Sequence, residues 1–290
     1  MRVLVTGATG MLATALLPQL ATSGHEAVAV PRARLDVTDH DAFLEAARAS
    51  RCDWIAHLAA FTKVDACESE PELAQAANGL GARNAALAAA DCGASLLLVS
   101  TDYVFDGRGS RPYRPYDATN PTSEYGRSKW AGEQAVREAH ARHLIVRTSW
   151  LFGRGGPNFI DTIVARARGG QPLSVVDDQR GSPTWTRHLA AQLVRLMERG
   201  QFGTYHCTNS GDCTWHELAE FVLASAGVTS AVERMSTSAL GRPAPRPAYS
   251  VLDNEWTEHV TGVAMPHWHE GVVGHLADVA GHVQPIAGRP

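Results

Sequence analysis

Short runs of apolar residues alternate with longer amphipathic stretches through the first half of the chain. The apolar runs predict strands at residues 2–6, 26–30, 53–57, 95–100 and 143–148. Apolar residues at helical spacing follow the strands, for example in the alanine-rich stretch 71–91. Repeated strand–helix units of this kind predict an α/β fold with a doubly wound parallel sheet and right-handed crossovers.

The pattern becomes less regular after Gly153. It predicts helices at 158–168, 185–199 and 214–226 and strands at 173–176 and 203–207, with the remainder irregular. We therefore expect a nucleotide-binding domain over residues 1–152, to which 184–208 also belongs. Residues 153–290 would mainly form a smaller, partly discontinuous substrate-binding lobe.

A glycine turn joins the first predicted strand to the first helix. Gly7 and Gly10 lie in the segment Gly-Ala-Thr-Gly-Met-Leu-Ala, and Ala13 occupies its last position. Between a strand and a helix, such glycines let backbone N–H groups approach a pyrophosphate at the helix N-terminus. The alternative is a glycine turn that only connects the strand to the helix. Because a predicted strand precedes the motif and a predicted helix follows it, a Rossmann-type dinucleotide site is favoured.

Two arginines follow the second predicted strand. NAD-selective sites usually carry an acidic residue there, which binds the ribose hydroxyls. This chain has Arg32 and Arg34 instead, and no acid between Pro31 and Arg34. The pair favours NADPH, whose 2′-phosphate it could bind. It is almost as good an interpretation that the two arginines are solvated loop residues with no ligand. NADH therefore stays open as the cofactor.

Tyr125 and Lys129 are four residues apart in a predicted helix and should share one face of it. A nearby ammonium favours phenolate, so we expect Lys129 to lower the tyrosine pKa and allow proton exchange near neutral pH. Taken alone, such a pair more often lies on an ordinary amphipathic helix that has no catalytic function. Thr101 ends the fourth predicted strand, at the sheet edge where ligands bind in open parallel sheets.

Composition excludes several other classes of function. Apolar residues make up 44% of the chain and charged residues 19%, as in soluble globular proteins. A net charge of -4 gives no reason to expect nucleic acid or an anionic membrane as partner. The five cysteines form no CxxC pair and suggest a reducing, cytoplasmic location. We expect no signal peptide and no membrane span, because the N-terminus shows no cleavage site and no apolar run is long enough to cross a membrane.

The C-terminal part is rich in histidine but has no zinc-site spacing. His269-Glu270 begins like an HExxH motif, yet Val273 stands where the second histidine should be. We expect surface histidines and no metal site. The histidines concerned are His206, His216, His259, His267, His269, His275 and His282.

These motifs together resemble the extended short-chain dehydrogenase/reductases, and more narrowly the dTDP-4-dehydrorhamnose reductase family. The resemblance covers nearly the whole chain in the expected order. The segments that carry it are VTGATGML from 5, AAFTKVDACESEPELA from 59, VSTDYVFDG from 99, YGRSKWAGE from 125, RTSWLFG from 147, LSVVDDQRGSPT from 173 and RPAYSVLDN from 246.

The resemblance implies an NAD(P)H-dependent reductase that transfers hydride to C4 of a nucleotide-linked 4-keto-6-deoxysugar. The simplest such reaction converts dTDP-4-dehydro-L-rhamnose to dTDP-L-rhamnose. Tyr125 would donate the proton, Lys129 would hold the nicotinamide ribose and Thr101 would orient the carbonyl. The residues implied to touch the cofactor are Gly10, Met11, Leu12, Asp36, Val37, Ala60, Phe61 and Thr62. The residues implied to touch the sugar nucleotide are Thr101, Asp102 and Trp150.

The chain departs from the family pattern at four positions. Pro115 replaces a common acidic residue, Ser123 a common asparagine and Phe61 a more polar aromatic residue. Ala15 stands where some members carry a glutamate that binds a bridging magnesium ion. We therefore expect no metal, and both a monomer and a homodimer remain open.

Four other functions are alternatives to reduction of dTDP-4-dehydro-L-rhamnose. The chain could reduce another dTDP-4-keto-deoxysugar, act as a sugar-nucleotide C4 epimerase, or serve as a non-catalytic NADP-binding regulatory subunit. A 4,6-dehydratase needs an Asp-Glu pair after the threonine, and here Tyr103 follows Asp102. An epimerase would keep its cofactor bound through purification. The intact set of Thr101, Tyr125 and Lys129 argues against a non-catalytic subunit.

Overall fold

Twelve strands and twelve α-helices are assigned in the structure, a computed structural model that describes residues 1–281. The strands are β1 (Arg2–Thr6), β2 (Glu26–Val30), β3 (Trp54–His57), β4 (Ser95–Thr101), β5 (His143–Thr148), β6 (Leu151–Phe152), β7 (Leu173–Val176), β8 (Arg180–Gly181), β9 (Thr184–Trp185), β10 (Gly203–His206), β11 (Cys213–Thr214) and β12 (Val232–Met235). The helices are α1 (Met11–Thr22), α2 (His40–Ser50), α3 (Val64–Ser69), α4 (Pro71–Ala74), α5 (Gly81–Cys92), α6 (Glu124–Ala139), α7 (Phe159–Arg168), α8 (Thr186–Arg199), α9 (Trp215–Ser225), α10 (Thr237–Leu240), α11 (Glu255–Thr261) and α12 (Trp268–Ala280). None of these helices is long and apolar enough to cross a membrane.

Six of the strands form one parallel sheet in the order β10-β5-β4-β3-β1-β2. Successive side chains on a strand point to opposite faces. Val3 and Val5 accordingly pack with α1 and α8, whereas Leu4 packs with α2 and α5 on the other face. Helices therefore cover both faces. The predicted Rossmann-type, doubly wound α/β sheet is confirmed.

A smaller lobe is built from the later segments. The helices α7, α9 and α12 pack together around a second apolar cluster that includes Phe152, Trp185 and Trp268. Three two-stranded pairings, β6-β9, β7-β12 and β8-β11, connect its parts. Between them the chain returns to the main sheet, where α8 packs on α1 and β10 pairs with β5.

The region after residue 226, predicted to be irregular, instead contains β12 and α10–α12. In α12 the buried residues are Trp268, Gly271, Val272 and His275, which is the spacing of one helix face. Two of the four are a glycine and a histidine, so the stripe does not look apolar in the sequence. His267 and Glu270 cap the helix reciprocally at its N-terminus.

The prediction of surface histidines is wrong for three residues. His206, His216 and His275 are almost completely buried, and each has a hydrogen-bond partner. For example, His275 Nε2 lies 2.8 Å from Asp161 Oδ1. His282 lies outside the described residues. Residues 1–281 contain no cluster of His, Cys, Asp or Glu that could hold a metal ion.

A buried ion pair joins α6 to the sheet. The Glu133 side chain is fully buried, and Arg147 of β5 donates to both of its carboxylate oxygens, at 2.9 and 2.7 Å. Ser100 of β4 donates to Oε1 at 2.6 Å, and Arg137 donates to Oε2 at 2.8 Å. These donors hold the pKa of Glu133 below its usual value even though burial raises it. The carboxylate therefore stays charged and fixes α6 on β4 and β5.

We predict that Arg147→Met destabilises the protein by about 3 kcal/mol, because it leaves the buried Glu133 carboxylate without its main partner. Urea unfolding followed by circular dichroism would measure the change. Arg48→Met is a control, since Arg48 forms an exposed ion pair with Asp91 through two hydrogen bonds. Loss of this pair should barely change the free energy of unfolding. Equal losses in the two variants would contradict the role assigned to the buried pair.

Candidate active site

The glycine turn after β1 leaves the N-terminus of α1 open. Gly7 has a φ of 65°, and a Cβ there would lie 2.8 Å from Ala59 N, so only glycine fits without displacing the backbone. Gly10 is the N-cap of α1 and provides no side-chain cap. The first N–H groups of α1, including those of Met11 and Leu12, therefore remain available to a phosphate. This backbone arrangement fits a dinucleotide pyrophosphate.

A loop from the lobe passes over the same helix end. Gly155 has a φ of 89°, and a Cβ on it would overlap Thr14 Oγ1. A Cβ on Gly156 would lie 3.6 Å from Met11 Cβ, an ordinary van der Waals distance. The loop 153–157 therefore covers the first turn of α1 and forms one wall above the glycine turn.

The loop after β2 presents charged side chains to solvent. Arg32, Arg34 and Asp36 are all exposed. Hydrogen bonds from the Thr38 N–H and hydroxyl, with a smaller effect of Arg32, lower the pKa of Asp36. Val37 is held by Asn84, whose Nδ2 donates to its carbonyl at 3.0 Å. The structure thus places the two arginines and the predicted cofactor residues Asp36 and Val37 in one loop.

Tyr125 and Lys129 share one face of α6, as predicted. Ser123 caps this helix, with its Oγ accepting from Gly126 N at 3.1 Å. Lys129 is buried, and its Nζ donates to the carbonyl of Val99 at 2.8 Å. Burial lowers the pKa of Lys129 to about 8, against a smaller opposing effect of Glu133. One of the three ammonium N–H groups is thus used by β4, and two remain.

The expected lowering of the Tyr125 pKa is not what the structure shows. Burial raises the pKa of Tyr125 well above its usual value, and a hydrogen bond with Thr101 only partly opposes this rise. The Lys129 ammonium does not offset this effect of burial. The phenol is consequently protonated at neutral pH, as a proton donor must be.

Thr101 and Asp102 lie at the C-terminal end of β4, beside Tyr125. Thr101 Oγ1 donates to Asp102 Oδ1 at 2.9 Å and accepts from Tyr103 N at 3.3 Å. Asp102 is 2% exposed, and its Oδ2 has no hydrogen-bond partner. Burial raises the pKa of Asp102 to about 6. The Tyr103 ring meets the Tyr125 ring edge-on, with centroids 5.5 Å apart.

Trp150 lies between the sheet and the lobe. Its φ is 47°, in the left-handed region that residues other than glycine rarely adopt. The indole stacks on Trp215 of α9, with ring centroids 3.7 Å apart and an interplanar angle of 8°. A Cβ on Gly181 would lie 2.6 Å from the indole, so β8 also approaches it closely. Trp150 is therefore a packing residue of the lobe, whatever else it contacts.

Asn78 is a residue of the site to which the sequence assigned no role. Its Oδ1 accepts from Phe61 N at 2.8 Å, and its Nδ2 donates to Phe61 O at 3.0 Å and to Ser128 Oγ at 2.9 Å. Ser128 in turn donates to the Tyr125 carbonyl at 2.9 Å. Asn78 thus joins the loop that carries Ala60, Phe61 and Thr62 to the helix that carries Tyr125.

Asn78 lies in a π-helical segment, Gln75–Leu80, between α4 and α5. The sequence predicted one continuous helix there. Single π-helical turns often mark functional sites. A buried, polar asparagine in an otherwise alanine-rich stretch is the signal in the sequence that could have identified it.

An ion pair joins this loop region to the lobe. Arg246 donates to both Asp65 oxygens, at 3.0 and 3.1 Å, and the Ala244 N–H donates to Oδ1 at 3.3 Å. Hydrogen bonding by Arg246 is the main cause that lowers the pKa of Asp65. The segment 243–247 is thereby held near Tyr103, next to Asp102 and Tyr125.

Comparison with known proteins agrees with this geometry. The family described as "RmlD substrate binding domain" matches residues 1–280. A dTDP-4-dehydrorhamnose reductase of Streptomyces griseus is 43% identical over 296 residues, covering 100% of this chain and 96% of the relative. The chain belongs to the dTDP-4-dehydrorhamnose reductase family. As a member, it is an NAD(P)H-dependent oxidoreductase.

Two further relatives bear on cofactor and substrate. A dTDP-4-keto-6-deoxy-D-glucose reductase of Streptomyces niveus is 38% identical over 269 residues, covering 92% of this chain and 93% of the relative. The crystal structure of a dTDP-4-dehydrorhamnose reductase of Bacillus anthracis, in complex with NADP, is similar with a TM-score of 0.93. It is 37% identical, and the match covers 96% of this chain and 99% of that one.

We predict that Asn78→Ala lowers kcat/KM about 10–100-fold, because the loop at Phe61 and the helix at Tyr125 lose their common anchor. Steady-state kinetics with the purified protein would measure this loss. Asn254→Ala is a matched control, since Asn254 brackets the N–H and carbonyl of Thr208 in the same way. Both variants should lose stability, and only Asn78→Ala should lose activity; equal kinetics would refute the anchoring role.

Proposed function

We propose that the protein reduces the C4 carbonyl of a dTDP-linked 4-keto-6-deoxyhexose with NADPH, and that its substrate is dTDP-4-dehydro-L-rhamnose. The observation that carries the proposal is the position of the buried Tyr125 hydroxyl beside Thr101, at the sheet edge where ligands bind. The reductase names of the similar proteins support the substrate class.

The residues of the cofactor half suit NADPH. The open N-terminus of α1, at Gly10, Met11 and Leu12, would bind the pyrophosphate, with Gly7 allowing the close approach. Arg32 and Arg34 would bind the 2′-phosphate. The two remaining N–H groups of Lys129 would hold the nicotinamide ribose, and the loop at Ala60, Phe61 and Thr62 would lie beside it. When bound, NADPH supplies the hydride that adds to the carbonyl carbon.

Tyr125 acts on the carbonyl oxygen. As negative charge develops there, the phenol donates its proton and Thr101 donates a hydrogen bond that orients the carbonyl. A phenol with a raised pKa remains protonated until the charge appears. The sugar would lie between the edge of the sheet and the lobe formed from residue 153 onwards, with the free edge of Trp150 and the Asp102 region beside it.

Reduction of a related dTDP-4-keto-deoxysugar is the second candidate, because the Streptomyces niveus relative is a dTDP-4-keto-6-deoxy-D-glucose reductase. A screen of dTDP-4-keto sugars, followed by oxidation of NADPH, would distinguish the two. An epimerase would return its substrate without net NADPH oxidation. A regulatory subunit would oxidise none with any sugar, whether it acts as a monomer or as a homodimer.

We predict that Tyr125→Phe lowers kcat about 10²–10⁴-fold, the range for loss of a positioned proton donor. Stopped-flow absorbance of NADPH oxidation would measure kcat, and fluorescence titration would measure NADPH affinity. Affinity and melting temperature should stay close to those of the native protein, because only a hydroxyl is removed. Near-normal turnover in the variant would remove Tyr125 from the mechanism.

We predict a preference for NADPH over NADH of roughly tenfold or more, since a charge-assisted hydrogen bond contributes about 1.5–3 kcal/mol. The double variant Arg32→Ala/Arg34→Ala should lose this preference. The readout is the ratio of kcat/KM for the two cofactors. Arg51→Ala, at the exposed C-cap of α2, serves as a control. An NADH preference in the native protein would contradict the assignment.

A further inference from the structure

Asp102 is a buried carboxyl group that the proposed mechanism does not use directly. It is 2% exposed, and one of its two oxygens has no hydrogen-bond partner. Burial raises the pKa of this carboxyl group more than Ser250, Thr101 and the backbone N–H groups of Asp102 and Tyr103 together lower it, and Oδ2 still lacks a fully formed hydrogen bond. A buried carboxylate normally receives several donors or a positive partner, because desolvating its charge is costly. The surroundings of Asp102 therefore suit the neutral acid.

The hydrogen bonds of Thr101 depend on the charge of Asp102. A hydroxyl has one proton to donate and two lone pairs that accept. An ionised Asp102 can only accept, so it uses the Thr101 proton at 2.9 Å. A Thr101 lone pair then accepts from Tyr103 N. In that state Thr101 has no proton free for a substrate.

Protonation of Asp102 reverses this arrangement. A neutral carboxyl group donates its proton to Thr101 Oγ1, which fills one lone pair, while Tyr103 N fills the other. The Thr101 hydroxyl proton is then free, and Thr101 can donate together with Tyr125 to the oxygen of a bound carbonyl.

We propose that Asp102 is a positioning residue that works as the neutral acid, donating to Thr101 so that Thr101 and Tyr125 both donate to the substrate carbonyl. This inference rests on the proposed reductase function and assigns Asp102 a role other than direct contact with the sugar. The burial of Asp102, which raises its pKa to about 6, agrees with a neutral form at mildly acidic pH.

Few titratable groups surround Asp102. Tyr103 is on the same turn and Tyr125 comes from α6, and burial raises the pKa of both phenols, so they are neutral near pH 7. Ser250 contributes a neutral hydroxyl from the C-terminal segment. The charged groups further out are Arg246 and Asp65, which face Tyr103 and pair with each other.

The first test is the pH dependence of kcat/KM for a dTDP-4-keto sugar with NADPH. In the native protein, kcat/KM should fall about tenfold per pH unit above the pKa of Asp102. In Asp102→Asn the amide N–H₂ donates to Thr101 at every pH, so kcat/KM should lose this dependence. Asp106→Asn is the control, because Tyr113 and Arg108 N–H lower the pKa of Asp106 and keep it ionised.

The second test needs no substrate. The pKa of Asp102 is raised by folding, so the folded state binds the extra proton, and stability falls as pH rises from 3.8 to about 6. In urea unfolding, Asp102→Asn should therefore gain stability relative to the native protein across this window, and Asp106→Asn should not. An Asn variant whose stability stays parallel to the native curve would overturn the proposal.

The outcomes distinguish failure of the proposed reductase function from failure of the role assigned to Asp102. If no dTDP-4-keto sugar is reduced by the native protein, the proposed function fails, and the stability test still decides the protonation of Asp102. If the native protein is active but Asp102→Asn loses 100-fold or more at all pH values, the ionised carboxylate is needed. The positioning role would then be wrong, and direct contact with a sugar hydroxyl would replace it.

Discussion

The site depends on the buried charge of Glu133. Glu133 lies within the packed interior, where an ionised carboxylate needs hydrogen bonds on every side. It receives them from Ser100 on β4, Arg147 on β5 and Arg137 on its own helix. Because Ser100 and Arg147 belong to strands of the sheet, α6 can neither slide nor rotate without weakening the pairing of this charge. Lys129 and Tyr125 lie one and two turns before Glu133 on the same face, so this constraint also positions them.

The two ligand-binding halves of the site depend on different kinds of contact. The cofactor half is shaped by close backbone approaches, such as that of Gly7 to Ala59, and by Asn78 as a side-chain bracket. The proposed substrate half depends on side-chain contacts made by the lobe, including the stack of Trp150 on Trp215 and the Asp65–Arg246 pair.

Much of the fold could be predicted because its signals are local. Five of the six strands of the sheet are apolar runs in the N-terminal half of the chain. The spacing of Tyr125 and Lys129 alone places them on one helix face. The α12 helix could not be predicted in this way, since a glycine and a histidine form half of its buried stripe.

The electrostatics of the site could not be predicted either, because they follow from burial. Spacing suggested that Lys129 would lower the Tyr125 pKa. Yet Lys129 donates to the Val99 carbonyl, and desolvation of the phenol dominates. The partners of Asn78 lie 17 and 50 residues away, so only the folded chain reveals its role.

At the π-helical turn Gln75–Leu80, the number of residues in the turn decides where the Asn78 side chain points. Its hydrogen bonds enclose one more residue per turn than those of an α-helix, so every later side chain in α5 is rotated by one position. A chain one residue shorter here would form a more regular helix, with better backbone geometry and the Asn78 amide aimed elsewhere. Regular helix geometry and the Asn78 contacts with Phe61 and Ser128 are thus alternatives at this turn, and the chain has the contacts.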